Sequence, residues 1–168
     1  MKKILILLCG TLLFATSCLS GGGSAGSAAA EYTGALTVID ATTSDLHYKE
    51  DKAKMVVEIP NMLEPKLDIL FEGIKFSQLM PKMNIEIAGI PFSTTISEDE
   101  NSLNYIFEAK NIVPTAGSVE YEKFKVGYIK GYIGKTAVEV EFTIPSEDKK
   151  VLFSTKKEET APAETEQE

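Results

Sequence analysis

Tryptophan and arginine are absent from the 168 residues, and histidine occurs once, at His47. Without arginine there is no planar fork to grip a phosphate or carboxylate at two points, and all 17 basic side chains are lysine point charges. Without tryptophan the strongest platform for stacking on a sugar ring is missing, leaving tyrosine and phenylalanine as substitutes. One imidazole supplies no histidine pair for zinc, and a Ser-His-Asp arrangement would have to run through it alone. Cysteine is nearly as scarce, with only Cys9 and Cys18.

What the chain has in excess is acid. Against 17 lysines stand 25 Asp and Glu, a net charge of −8. If Lys2 and Lys3 are removed with a leader, 15 bases face 25 acids and the balance falls to −10. Nucleic acid is excluded as a partner class, because counterion release rewards basic surfaces and this field repels phosphate.

The N-terminal pattern predicts export. Lys2 and Lys3 precede a run over residues 4–14 that is apolar apart from Gly10 and Thr11. That is the length of a secretory signal core, whereas a membrane span needs about 20 apolar residues. Ala15-Thr16-Ser17-Cys18 resembles a bacterial lipobox, departing from it at Ala15, where leucine is commonest. The resemblance implies that residues 1–17 are cleaved and that Cys18 becomes the lipid-modified N-terminus. The alternative is an ordinary signal peptide cut among Ala28, Ala29 and Ala30, with Cys18 discarded. Cys9 lies in the apolar run and is lost either way, so the exported domain is expected to hold no disulfide. Several acyl chains at about 0.8 kcal/mol per buried CH₂ make a lasting anchor.

Residues 18–30 then read as the lipidated cysteine and a flexible Gly/Ser/Ala tether. No acid follows Cys18 directly, which favours the periplasmic face of the outer membrane of a Gram-negative envelope over the cell surface. Residues 156–168, "KKEETAPAETEQE", are charged and free of aromatics and are expected to be disordered. Residues 31–155 remain for one folded domain.

Within that domain the dominant signal is a period of two. Val138, Val140, Phe142 and Ile144 alternate with Glu139, Glu141 and Thr143, as in a strand half in core and half in water. The pattern repeats in Tyr32, Gly34, Leu36 and Val38, in Met55, Val57 and Ile59, and in Leu67, Ile69 and Phe71. It recurs in Ile85 and Ile87 and in Leu103, Tyr105 and Phe107. Breaks are expected at Ser44-Asp45, Glu50-Asp51 and Pro60-Asn61, and at residues 98–101, 114–118, 134–135 and 146–149. Such short connections predict an all-β antiparallel meander, and closing it into an up-and-down barrel of about eight strands removes the exposed edges. A two-sheet sandwich is the alternative. Residues 119–134 read as one long strand with a bulge where the apolar phase flips, and Gly127 and Gly131 as allowing tight coiling.

The segments "EYTGALTV", "GIKFSQLMPKMNIEIAGIP" and "KTAVEVEFTI" resemble the calycin-like β-barrel family of anchored bacterial lipoproteins. The likeness spans nearly all of residues 31–145. It implies a barrel of roughly eight strands, related in shape to the lipocalins, which bind small apolar ligands. It implies no established activity and carries no functional residues across.

The candidates for chemistry are few. Asp45 stands two residues from His47, where it would share a strand face and pair with it. Glu98, Asp99, Glu100 and Asn101 offer hard oxygen ligands but lack the spacing and central glycine of a calcium loop. Glu139 and Glu141 lie about 7 Å apart along a strand, a separation hydrolases use, yet alternate with core residues and are expected to point into water as plain surface carboxylates. Gly127 and Gly131 are not followed by the residues of a phosphate loop. Met62, Met80 and Met83, with Leu63, Leu79 and Pro81, form the one soft apolar group. If residues 76–83 cap one barrel end, a ligand cavity would be lined by Phe76, Met80, Met83, Tyr128 and Tyr132; the alternative is that these side chains plug the barrel.

The expectation is a non-enzymatic, lipid-anchored envelope protein without a cofactor or metal. Its barrel either holds a small apolar ligand or is filled by its own side chains and contacts another envelope component.

Overall fold

The computed structural model describes residues 28–97, 102–117, 119–135 and 137–155. The leader, Cys18, the tether up to residue 27, the acidic residues 98–101 and the tail 156–168 lie outside the described residues.

Ten strands run β1 Ala28–Asp40, β2 Leu46–Ile59, β3 Lys66–Ile74, β4 Met83–Ser97, β5 Ser102–Ile112, β6 Thr115–Ala116, β7 Val119–Glu120, β8 Val126–Ile133, β9 Val138–Ile144 and β10 Lys149–Ser154. Two 3₁₀ turns, Glu122–Phe124 and Pro145–Glu147, interrupt them. Each long strand pairs antiparallel with its neighbour in sequence, β10 returns to β1, and β3 pairs with β4. The eight long strands therefore form a closed up-and-down barrel, not a sandwich. Closure leaves neither β1 nor β10 as a sheet edge over residues 35–40 and 149–154.

Inward residues follow the alternation. Leu36, Val38, Met55, Leu67, Ile69, Phe71, Ile85, Ile87, Phe142 and Ile144 are all at most 1% exposed. Burying a side chain of this size contributes about 1.5–3 kcal/mol, so the lumen is the main source of stability.

Three differences from the sequence reading have clear causes. The first strand starts at Ala28, because Ala28, Ala29 and Ala30 pair with Ile59, Glu58 and Val57. Glu50 and Asp51 do not break β2; Glu50, opposite Leu36, accepts from the Tyr48 hydroxyl at 3.0 Å and from Lys82 at 3.4 Å, while Lys49 and Asp51 meet at 3.8 Å on the other face of the strand. Residues 119–134 are not one strand. The phase flip is the 3₁₀ turn at Glu122–Phe124, which ends a short β6–β7 hairpin before β8 begins.

β4 changes partner along its length. Residues from Met83 to Pro91 pair with β3, and those from Phe92 to Ser97 pair with β5. Pro91, which has no N–H to give a ladder, sits at the crossover, while the Phe92 N–H is taken by the Pro65 carbonyl at 3.0 Å. At the bulges of this seam, Gly73 and Gly89 adopt φ of +60° and +72°. Their amides are satisfied by side chains: Gly73 N–H donates to Asn84 Oδ1 at 2.9 Å and Gly89 N–H to Asp68 Oδ1 at 2.7 Å.

Candidate functional site

The strand directions define two ends. One carries the β1–β2 turn, the connection from Ile74 to Met83, the β5–β8 connection and the Pro145–Glu147 turn. The other carries Ala28, the β2–β3 connection, the β4–β5 ribbon and Ser154.

The first end is plugged. Phe76 is 3% and Phe124 6% exposed, with ring centroids 5.1 Å apart. Phe76 also meets Phe142 edge-on at 6.4 Å, and Tyr121 stacks on Phe124 at 5.8 Å with planes 4° apart. Met80 and Met83, in and just after the connection that holds Phe76, are half-buried against the hydrophobic core. The 3₁₀ turn thus turns Phe124 inward as a lid under which Phe76 sits.

The predicted cavity residues do not converge. Phe76, Met80 and Met83 belong to the plug. Tyr128 and Tyr132 lie on the outer face of β8, because Ile129 and Ile133, at 0% and 5% exposure, take the inward positions. Tyr128 is flanked by Lys110 and Lys130, each with Nζ 5.9 Å from the ring centroid. Tyr132 folds back over Gly134. Met62 lies in the β2–β3 connection at the opposite end from Met80 and Met83, so the three thioethers cannot share an ion.

The lumen between the ends is occupied by aromatic rings. Phe71 meets Phe142 at 5.5 Å and Phe153 at 5.9 Å, and Phe71, Phe107, Phe142 and Phe153 are each at most 2% exposed. Gly131 makes room for one of them: a Cβ there would overlap the Phe107 ring and lie 2.7 Å from the Glu139 carbonyl oxygen. A depression of about 500 Å³ opens towards the plugged end where β2 and β3 part beyond the Lys54–Glu72 pair, with Glu50, Lys54, Glu72 and Lys82 around it and the buried Ala53 and Ile74 in its lining. A second, of about 30 Å³ beside Tyr32 and Met55, has room for about one water.

The second end is the less closed. Phe92 and Tyr105 meet edge to face at 5.3 Å, and Tyr32 is half-buried against the core across the mouth. Burial, and secondarily the neighbouring Tyr105, raises the Tyr32 phenol above its usual 10.0. Beyond this ring of aromatics Ile96 is 72% and Leu103 50% exposed, and in the adjacent connection Met62 is 59% and Leu63 84% exposed. Asn104 is the buried polar side chain among the described residues, 6% exposed, and its Oδ1 accepts no hydrogen bond. Sequence alternation marks Tyr32 and Tyr105 as inward but gives no sign that they stand at the mouth.

His47 has a different partner from the one expected. Asp45 precedes β2 and takes the Thr43 hydroxyl at 2.7 Å. His47 Nε2 instead lies 2.9 Å from Lys149 Nζ, a donor only, and 3.7 Å from Asp40 Oδ2. Asp40 also accepts the Thr42 and Thr43 amides at 3.0 and 2.9 Å. These contacts, the Thr43 amide foremost, lower its carboxyl from 3.8 to about 2. The group ties the β1–β2 turn to the start of β10.

Glu139 and Glu141 point outward as expected, and Glu141 accepts from Lys150 at 3.0 Å. Among the described residues no three His, Cys, Asp or Glu side chains gather where they could hold a metal ion.

The fold defines a closed, eight-stranded antiparallel barrel with a plugged end and an aromatic-ringed end. No family model, curated protein or solved structure matches the chain.

Proposed function

We propose that the chain is a lipid-anchored, non-enzymatic envelope protein whose barrel acts through its outer surface, contacting another envelope component. The observation that supports this best is the filled lumen, where four phenylalanine rings and the surrounding aliphatic side chains occupy the space a lipocalin-type ligand would need. An apolar ligand in the lumen would have to displace several of these rings at once, at several kcal/mol each.

The remaining parts of the reading come from the sequence. Cys18 following Ala15-Thr16-Ser17 supports the anchor, the absence of acid after it supports the periplasmic face of the outer membrane, and the three segments quoted above support kinship with the calycin-like lipoproteins. Titration with a fluorescent fatty-acid probe tests the central part. The expected result is no saturable binding to the wild-type barrel; stoichiometric uptake would overturn the reading and restore the ligand-carrier alternative. The mass of the N-terminal peptide from the envelope tests the anchor, with an acylated Cys18 expected.

A further inference from the structure

We infer that the opening between β2 and β3 near the plugged end takes an extended, acidic strand from a partner protein, paired along β2 and held by Lys52 and Lys54. The inference rests on the surface-contact reading above and adds to it the place of contact and the chemistry of the partner.

The opening is a gap in the barrel wall. The β2–β3 ladder ends at Lys54 and Glu72, whereas β2 stays paired with β1 as far as Leu46. β3 turns away at Gly73, whose φ is +60° and whose amide is taken by Asn84, and Ile74 then pairs with Met83 of β4. Past that pair Phe76 enters the plug. Residues 46–53 of β2 are therefore flanked by a strand on one side only. Among the described residues no backbone hydrogen bond joins them to residues 75–82. Glu50, Lys52, Ala53 and Lys54 border the depression of about 500 Å³. By strand rise they span about 13 Å, the length of roughly four extended residues.

The groups around the gap select the occupant. Glu50 is already engaged by the Tyr48 hydroxyl at 3.0 Å and by Lys82 at 3.4 Å. Lys52 and Lys54 form no ion pair among the described residues, although Glu72 is the register partner of Lys54. Asn84 spends its Oδ1 on Gly73 and keeps its amide hydrogens. The groups left to a partner are thus mainly donors. Lys52 and Lys54 are exposed on either side of the buried Ala53, which with Ile74 makes an apolar floor. A strand laid beside β2 brings acidic side chains to the two lysines and the small apolar side chain between them onto that floor. Lysines on an open edge also keep the same edge of a second copy away. The chain's net charge of −8 is screened beyond about 8 Å at physiological ionic strength, so the contacting charges decide.

The test uses the protein purified from bacterial cells and short fluorescein-labelled peptides with Glu-Val-Glu or Lys-Val-Lys at the centre. Fluorescence anisotropy at physiological salt should show saturable binding of the Glu-Val-Glu peptide. Lys52→Glu with Lys54→Glu should weaken it about tenfold or more and turn the preference to Lys-Val-Lys. Lys52→Gln with Lys54→Gln, which only removes charge, should fall between, and unchanged urea midpoints mark both variants as folded. Amide hydrogen exchange within residues 51–53 should slow when the acidic peptide is bound. No binding, equal binding of both peptides, or indifference to the lysines overturns the inference. Lysine-dependent binding without slowed exchange overturns the paired strand, since only an ionic contact would remain. Binding seen only with Glu164→Gln, Glu166→Gln and Glu168→Gln overturns the partner in favour of the chain's own tail, and a dimer dissociated by the peptide does so in favour of a second copy. Uptake of the fatty-acid probe would overturn the filled lumen alone, and a failure of the peptide to bind leaves the filled lumen standing.

Discussion

At Gly131 a single methyl group decides whether the lumen closes. A side chain there would meet both the Phe107 ring and the rigid Glu139 carbonyl, so Gly131→Ala is expected to cost about 1–3 kcal/mol, read from the midpoint of urea unfolding. Gly117 has open space around it, and Gly117→Ala should cost only about 1 kcal/mol, for its φ of +65°. The order of the two midpoints tests whether the first glycine serves packing. Asp40 gives a pH signature. Its carboxyl is depressed in the folded state, so its contribution is present above the unfolded value of 3.8 and is lost as pH falls towards about 2. Asp40→Asn should flatten the fall in melting temperature across that window; an unchanged acid slope would refute the role of the Thr42 and Thr43 amides and Lys149. The Gly131 position is visible in the sequence, but its cause is not, since Phe107 reaches it only through the β5–β8 register. The His47 pairing was illegible for the same reason: Lys149 comes from the far end of the chain.

The element that closes the barrel is the β3–β4 seam, and two side chains repair its bulges. Removing the acceptor in Asp68→Ala or Asn84→Ala leaves the Gly89 or Gly73 amide without its partner and should cost about 1–2 kcal/mol each in urea unfolding. A loss within error for both would mean that water replaces these acceptors freely. Beyond the Phe92 amide, which Pro65 accepts, β4 has no partner on its outer side along residues 93–97 among the described residues, so amide hydrogen exchange should be faster there than in β3 between Leu67 and Phe71. Most strands were legible because each has one face in the core and one in water, which leaves a period of two. The 3₁₀ turn at Glu122–Phe124 was not, because in residues 119–134 an inward Phe124 with exposed neighbours has the same pattern as a bulged strand.

For the molecule as a whole the question is whether the barrel is a container or a solid. Strand number and short connections were readable from the sequence, and they predict a closed meander. A filled lumen was readable only as one of two alternatives, and not which residues fill it, because strand positions one residue apart exchange inside for outside and so decide whether Tyr128 or Ile129 enters the lumen. The cavity residues drawn from sequence fail on that parity and on the inward turn of the plug. In a solid barrel the lumen carries nothing but its own side chains. A deliberately hollowed variant provides the contrast: Phe71→Ala should lose about 3–5 kcal/mol and gain a void large enough for a small apolar probe that the wild type refuses. The most direct test is native mass spectrometry of the protein purified from bacterial cells without denaturation. A filled barrel should show the covalent mass alone, the same before and after denaturation; a reproducible excess that disappears on denaturation would contradict the filled lumen and identify the barrel as a ligand carrier.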